Sequence, residues 1–139
     1  MLALLAEDGR ATQDVSIPPT IHALLAARID RLPDEERAIM ERASVVGKEF
    51  WHGALVALSP PETNVAVPLQ RLVRKRLVRP DRSSFPGEDA FRFGHILIRD
   101  AAYAATAKQL RAELHERFAD WLLAKSSEYD EIVGYHLEQ

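Results

Sequence analysis

His95 stands where the period of the sequence changes. Before it, Phe91 and Phe93 alternate with Arg92, the two-residue period of a half-buried strand. After it, Leu97, Ile98, Ala101 and Ala102 recur at helical spacing. An imidazole at such a junction lies at or beside a helix N-terminus, where outward backbone N–H groups and the dipole favour anions. Anion contact is therefore the chemistry expected of His95. The competing reading is a junction histidine whose ring bonds a neighbouring carbonyl. A second candidate is the basic run Arg71, Arg74, Lys75, Arg76, Arg79 and Arg82. It falls on a predicted helix and the strand after it, where cations could meet nucleic-acid phosphates. Four to six such contacts would give a log–log salt slope of about -3.6 to -5.4. Its competing reading is a solvated cationic helix end whose side chains lie over the core. Arg99 and Asp100 read as structural, with Asp100 near a helix N-terminus and Arg99 free to pair with a neighbouring acid.

Other chemistries find no support in the residue pattern. No Gly-x-x-x-x-Gly-Lys-Ser/Thr loop occurs to cradle a triphosphate, and no Gly-x-Ser-x-Gly elbow presents a nucleophile. His22, His52, His95, His115 and His136 are scattered without metal-ligand spacing. Glu35 with Glu36, and Glu88 with Asp89, are sequence neighbours that face different ways, so they read as solvated caps and loops. No catalytic residue and no metal site is expected in this chain. With no cysteine, disulfides and thiolate zinc sites are excluded.

The elements that must position His95 follow from the rest of the chain. Its 139 residues suffice for one ordinary core, and 47% hydrophobic with 28% charged residues is globular composition. A formal net charge of -3 argues against a strongly basic nucleic-acid binder. No apolar run approaches a bilayer span and the first residues lack a signal-peptide pattern, so the expected location is cytoplasmic, with no membrane partner. Met1 to Glu7 reads as a short helical piece stopped at Asp8-Gly9, followed by a polar loop to Ser16. A helix from Thr20 carries Ile21, Leu24, Leu25, Ile29 and Leu32 as an apolar stripe and stops at Pro33. Asp34 then caps a helix buried through Ile39, Met40, Ala43 and Val46 and ended by Gly47. A short helix follows through Ala54, Leu55 and Leu58, and a third runs from about Thr63 to Arg76. Leu77 to Pro80 reads as a strand, Asp81 to Asp89 as a turn, and Phe91 to Phe93 as its returning partner.

Three helices followed by a β-hairpin predict a mainly α fold with a small wing, the winged-helix variant of helix-turn-helix. Beyond Tyr103 the chain reads as all helix, with a break at Ser126-Ser127 separating Gln109 to Lys125 from a further helix. Trp51 and Trp121 lie in apolar patterns and read as core.

The stretch from Phe91 to Tyr103 also resembles the end of the winged-helix module in the STAND class of signal-transduction ATPases, which includes the NB-ARC switch proteins. There a His follows the last wing strand and opens a helix reading roughly His-x-Leu-Ile-Arg-Asp, matched here by His95, Leu97, Ile98, Arg99 and Asp100. Ile96 departs from the Asp that eukaryotic members carry after the His. Bacterial members linked to adenylate-cyclase-like or LuxR-like output domains look closer, through Ala101-Ala102-Tyr103 and the lead-in Pro18-Pro19-Thr20-Ile21. The resemblance implies a lid remnant and loop over 1–16 and a winged-helix module over 17–106. The first helices of a TPR-like α-solenoid would follow over 107–139. It implies that His95 contacts the β-phosphate of ADP, that ADP or ATP with Mg binds in a longer protein, and that catalytic residues lie upstream. The implied partners are an upstream ATPase core and downstream helical and output domains. A protonated His95 would hold phosphate more strongly, so ADP retention is expected to tighten towards pH 6. Two alternatives stay open: a DNA-binding regulator using the basic run, and a protein-interaction scaffold.

Overall fold

The computed structural model describes residues 19–83 and 87–138. The lid remnant and loop expected over 1–16 lie outside the described residues. The chain is mainly helical with one small antiparallel sheet. In order it forms α1 (Pro19–Asp30), α2 (Asp34–Val46), β1 (Glu49–Trp51), α3 (His52–Ala57) and α4 (Ala66–Arg74). β2 (Val78–Asp81), β3 (Ala90–Phe93), α5 (Ile96–Ala105) and α6 (Lys108–Glu138) follow. Among the described residues no helix is long and apolar enough to cross a membrane.

Pro33 occupies the N-cap position of α2, so Asp34 is its first residue rather than its cap, and pairs with Arg37 at 2.5 Å. Ile39, Met40 and Ala43 of α2 are buried as its period predicts, whereas Val46 is half-buried and Val45 takes the buried place. Glu36 departs from the solvated reading: it is 1% exposed, and its carboxylate accepts from Lys75 Nζ at 2.5 Å. A first-turn acid at the positive end of α2, answered by a cation from α4, offsets part of its desolvation.

α1 follows its predicted stripe only in part. Ile29 and Leu32 are buried, but Ile21 is 39% and Leu24 69% exposed. The reason lies in its partner. α1 meets α5 through small residues, with Ala26 and His22 sharing a cleft with Ala101, Ala104 and Ala105. Leu24, about 200° around the helix from Ala26, is thereby turned outward.

The sheet contains a strand absent from the sequence reading. β1 pairs with β3, and the order is β1-β3-β2, both pairs antiparallel. Phe50 lies opposite Phe91, with Val78 opposite Phe93. Phe50 is fully buried, its ring 6.2 Å from Phe91 and 5.2 Å from Phe93. These rings pack on Ile39, Met40, Leu55, Leu69, Leu72 and Ile98 as the main core.

α6 runs unbroken for 31 residues, so the break expected at Ser126-Ser127 does not occur. Serine costs a helix only a few tenths of a kcal/mol relative to its best formers, roughly, and no proline interrupts the segment. Lys125 also pairs across the serines with Glu128 at 3.8 Å. Where a pair of helices was expected there is one. Its first turns bury Leu114 against Val45 and Leu58, with Leu110, Phe118 and Tyr103 around them.

Candidate functional site

His95 is the N-cap of α5. Its backbone is extended, at φ -154° and ψ 148°, and its Nδ1 accepts the Leu97 N–H at 3.1 Å. The ring thus bonds a backbone donor, not the carbonyl of the competing reading. An orphan N–H of the first helical turn demands an acceptor, and an imidazole lone pair supplies one. With Nδ1 accepting, the neutral ring carries its proton on Nε2. His95 is exposed, and its Nε2 has no partner among the described residues. An outward N–H at a helix N-terminus is what this geometry offers to an anion.

The junction is held from below by the end of α4. Leu77 N–H donates to Leu72 at 3.1 Å and Arg76 N–H to Val73 at 3.0 Å, the paired closing bonds of a helix that ends in a left-handed residue. That residue is Arg76, at φ 64°. Gly94 N–H donates to the Leu77 carbonyl at 2.9 Å, and a Cβ on Gly94 would stand 2.7 Å from the Arg76 carbonyl oxygen. Residue 94 is therefore restricted to glycine by close approach.

The basic run is divided by the fold. Lys75 is committed to Glu36, and Arg71 lies 3.8 Å from Glu35. Arg74, Arg76, Arg79 and Arg82 form no ion pair among the described residues. Arg79 lies directly opposite Arg92 in the sheet, and Arg92 in turn lies 3.8 Å from Asp81.

Several polar contacts carry no sequence period and were missed. Glu88, read as a solvated loop acid, accepts from the Gly53 N–H at 3.1 Å and pairs with Lys125 at 2.7 Å. It thereby ties the β2–β3 connection to α3 and α6, and this hydrogen bond raises the Lys125 pKa above its ordinary value. Beside it Trp51, Phe118 and Trp121 stack with centroids 5.8 to 6.4 Å apart. The two tryptophans are half-buried at the sheet edge, not in the central core. Arg99 donates through Nε to the Ser44 carbonyl at 2.8 Å, a bond from α5 to α2 in place of the acid partner expected from a neighbouring helix. Its one acid contact among the described residues is Asp100 at 3.5 Å. The four-residue spacings Arg99–Tyr103 and Arg111–His115 were the available signal for the cluster those residues form. On α2, burial raises the Glu41 carboxyl pKa, with Arg37 and Arg42 opposing. Burial lowers Arg42, whose Nη1 reaches Ser59 Oγ at 3.1 Å.

Among the described residues no group of three or more His, Asp or Glu could hold a metal ion. Comparison with protein-family models, curated proteins and solved structures finds no match.

Proposed function

We propose that this chain is the non-catalytic regulatory module of a nucleotide-switch ATPase of the STAND type, and that His95 senses ADP. The observation that carries the reading is the state of the His95 ring: Nδ1 spent on the helix cap, Nε2 unpartnered among the described residues and exposed. The order α2-β1-α3-α4-β2-β3, with β3 central, supports a winged helix, and the junction after β3 is where the resembling class carries its sensor. ATP or ADP with Mg would be held by a core upstream, where the catalytic residues would lie. α6 would open a downstream helical array that passes the signal to an output domain. One charge-assisted bond contributes roughly 1.5–3 kcal/mol, enough to bias a two-state switch about tenfold when it forms in one state alone.

The cap reverses one expectation. Protonating Nδ1 removes the lone pair that accepts the Leu97 N–H, so the sensing form is the neutral ring with its Nε2–H outward. ADP retention should therefore not tighten as pH falls from 8 to 6. The test is ADP release from the natural gene product that contains this chain. His95→Ala should release ADP about tenfold faster. Equal release, or a purified protein without nucleotide, defeats the reading.

A second reading rests on Arg74, Arg76, Arg79 and Arg82, which lack acid partners among the described residues. If these four meet DNA phosphates, affinity should fall with a log–log salt slope of about -3.6. Asp34 and Glu35 at the start of α2, the latter beside Arg71, oppose it.

A further inference from the structure

Where α5 passes to α6 the fold gathers cations that the switch reading leaves unused. The guanidinium carbons of Arg99 and Arg111 lie 4.5 and 4.7 Å from the centre of the Tyr103 ring. The Tyr103 hydroxyl lies 3.0 Å from His115 Nε2. Arg99 is partly satisfied, through the Ser44 carbonyl and a longer contact to Asp100. Arg111 is not. Its Nε is buried and meets no acceptor among the described residues, and no acid of those residues pairs with it.

A ring face attracts a cation, but it does not accept the N–H groups along the guanidinium edge. Nε itself is closed to solvent, so the donors open to a ligand are the Nη groups of the same guanidinium, which form no hydrogen bond among the described residues. The surrounding charge points the same way. Lys108 and Arg111 begin α6, whose first turn contains no acid, and among the described residues Asp100 is the one carboxylate paired with Arg99. Two arginines on one ring, with a histidine at its hydroxyl, make a positive site in which the aromatic plane holds the donors still.

We infer that Arg99, Tyr103, Arg111 and His115 form a binding site for an oxyanion, a carboxylate or phosphate group, with the Nη groups of Arg111 as its principal donors. The site is independent of His95 and of any nucleotide. Arginine is suited to it because its fork matches two oxygens of either group.

The test titrates the whole 139-residue chain with sodium phosphate, and separately with sodium acetate, at constant pH and ionic strength. The Arg111 Nε–H and His115 ring resonances are followed by nitrogen-15 NMR. Both should shift saturably in the low millimolar range, the strength of a few charge-assisted bonds. Saturation by phosphate alone assigns a phosphate ligand, by acetate alone a carboxylate, and by both a general oxyanion site. Arg111→Gln should weaken binding about tenfold or more when read at His115. Arg111→Lys keeps the charge, removes the fork, and serves if the glutamine variant does not fold. No saturable shift up to about 50 mM of either ion, or unchanged affinity in a folded Arg111 variant, overturns the site.

Discussion

At the scale of single residues, His95 caps α5 through Nδ1 and turns Nε2, the proposed ADP contact, outward, and substitution can separate the two. Alanine loses both the cap and the outward donor. Asparagine restores an acceptor at the N-cap, where it is among the preferred residues, but brings no imidazole. In this chain His95→Ala should lower stability by about 1 kcal/mol, while His95→Asn should match the parent within about 0.5 kcal/mol. Urea unfolding of the two variants checks this. On the proposed reading, both variants of the natural gene product should release ADP faster. Stability and retention would then part company only in the asparagine variant.

Glu41 gives a residue-scale prediction with a definite sign. Its pKa is raised by burial in the folded chain, so the charged form is disfavoured there relative to the unfolded chain. The folded state then binds more protons between the unfolded and folded values, and stability falls as pH rises through that window. Glu41→Gln should therefore raise the melting temperature at pH 7 and lose its advantage at about pH 3, below the ordinary glutamate range. Thermal melts at the two pH values decide it. The sign was hidden from sequence, where Glu41 is one more helix acid between Arg37 and Arg42.

At the scale of elements, the seating of β3 and α5 on the end of α4 depends on Gly94. A methyl group there meets the Arg76 carbonyl at 2.7 Å, a backbone atom that cannot rotate away. Gly94→Ala should cost about 1–3 kcal/mol by this overlap, measured by denaturant unfolding. The chain reads as a strand followed by a helix, but nothing in the local pattern announces that the turn after α4 lies beneath the junction. β1 was unreadable for a similar reason. Three residues, Glu49, Phe50 and Trp51, are too few to establish a period between two helices.

The tie between Glu88, Gly53 and Lys125 belongs to the same scale. Its hydrogen bond raises the Lys125 pKa, so its stabilising effect is complete below the ordinary lysine value of about 10.4. That effect is lost as pH rises through the higher folded value. The parent should therefore destabilise more steeply above about pH 10 than Glu88→Gln, which lacks the ion pair. Hydrogen exchange in α6 at alkaline pH reads the loosening where it should occur. Sequence distance is what concealed the contact, since 37 residues (from 88 to 125) separate the partners.

At the scale of the whole molecule, the long periodic helices were legible because each must bury one face. Ile39, Met40 and Ala43 in α2, and Leu69 and Leu72 in α4, lie where the spacing puts them. What failed was any inference that needed a partner's surface. Leu24 faces out because α5 offers alanines on the other side of α1, and the serines of α6 do not end it. The candidate site divides the same way. The period change at His95 marks the junction, whereas the engagement of Nδ1 as the cap of α5 came only with the Leu97 bond. The measurement that tests the central claim most directly is nitrogen-15 NMR of the His95 imidazole in the natural gene product, with and without bound ADP. The proposal predicts an unprotonated, hydrogen-bonded Nδ1 in both states and an Nε2–H resonance that shifts when ADP binds. A His95 ring indifferent to ADP, or one that carries its proton on Nδ1, would contradict it.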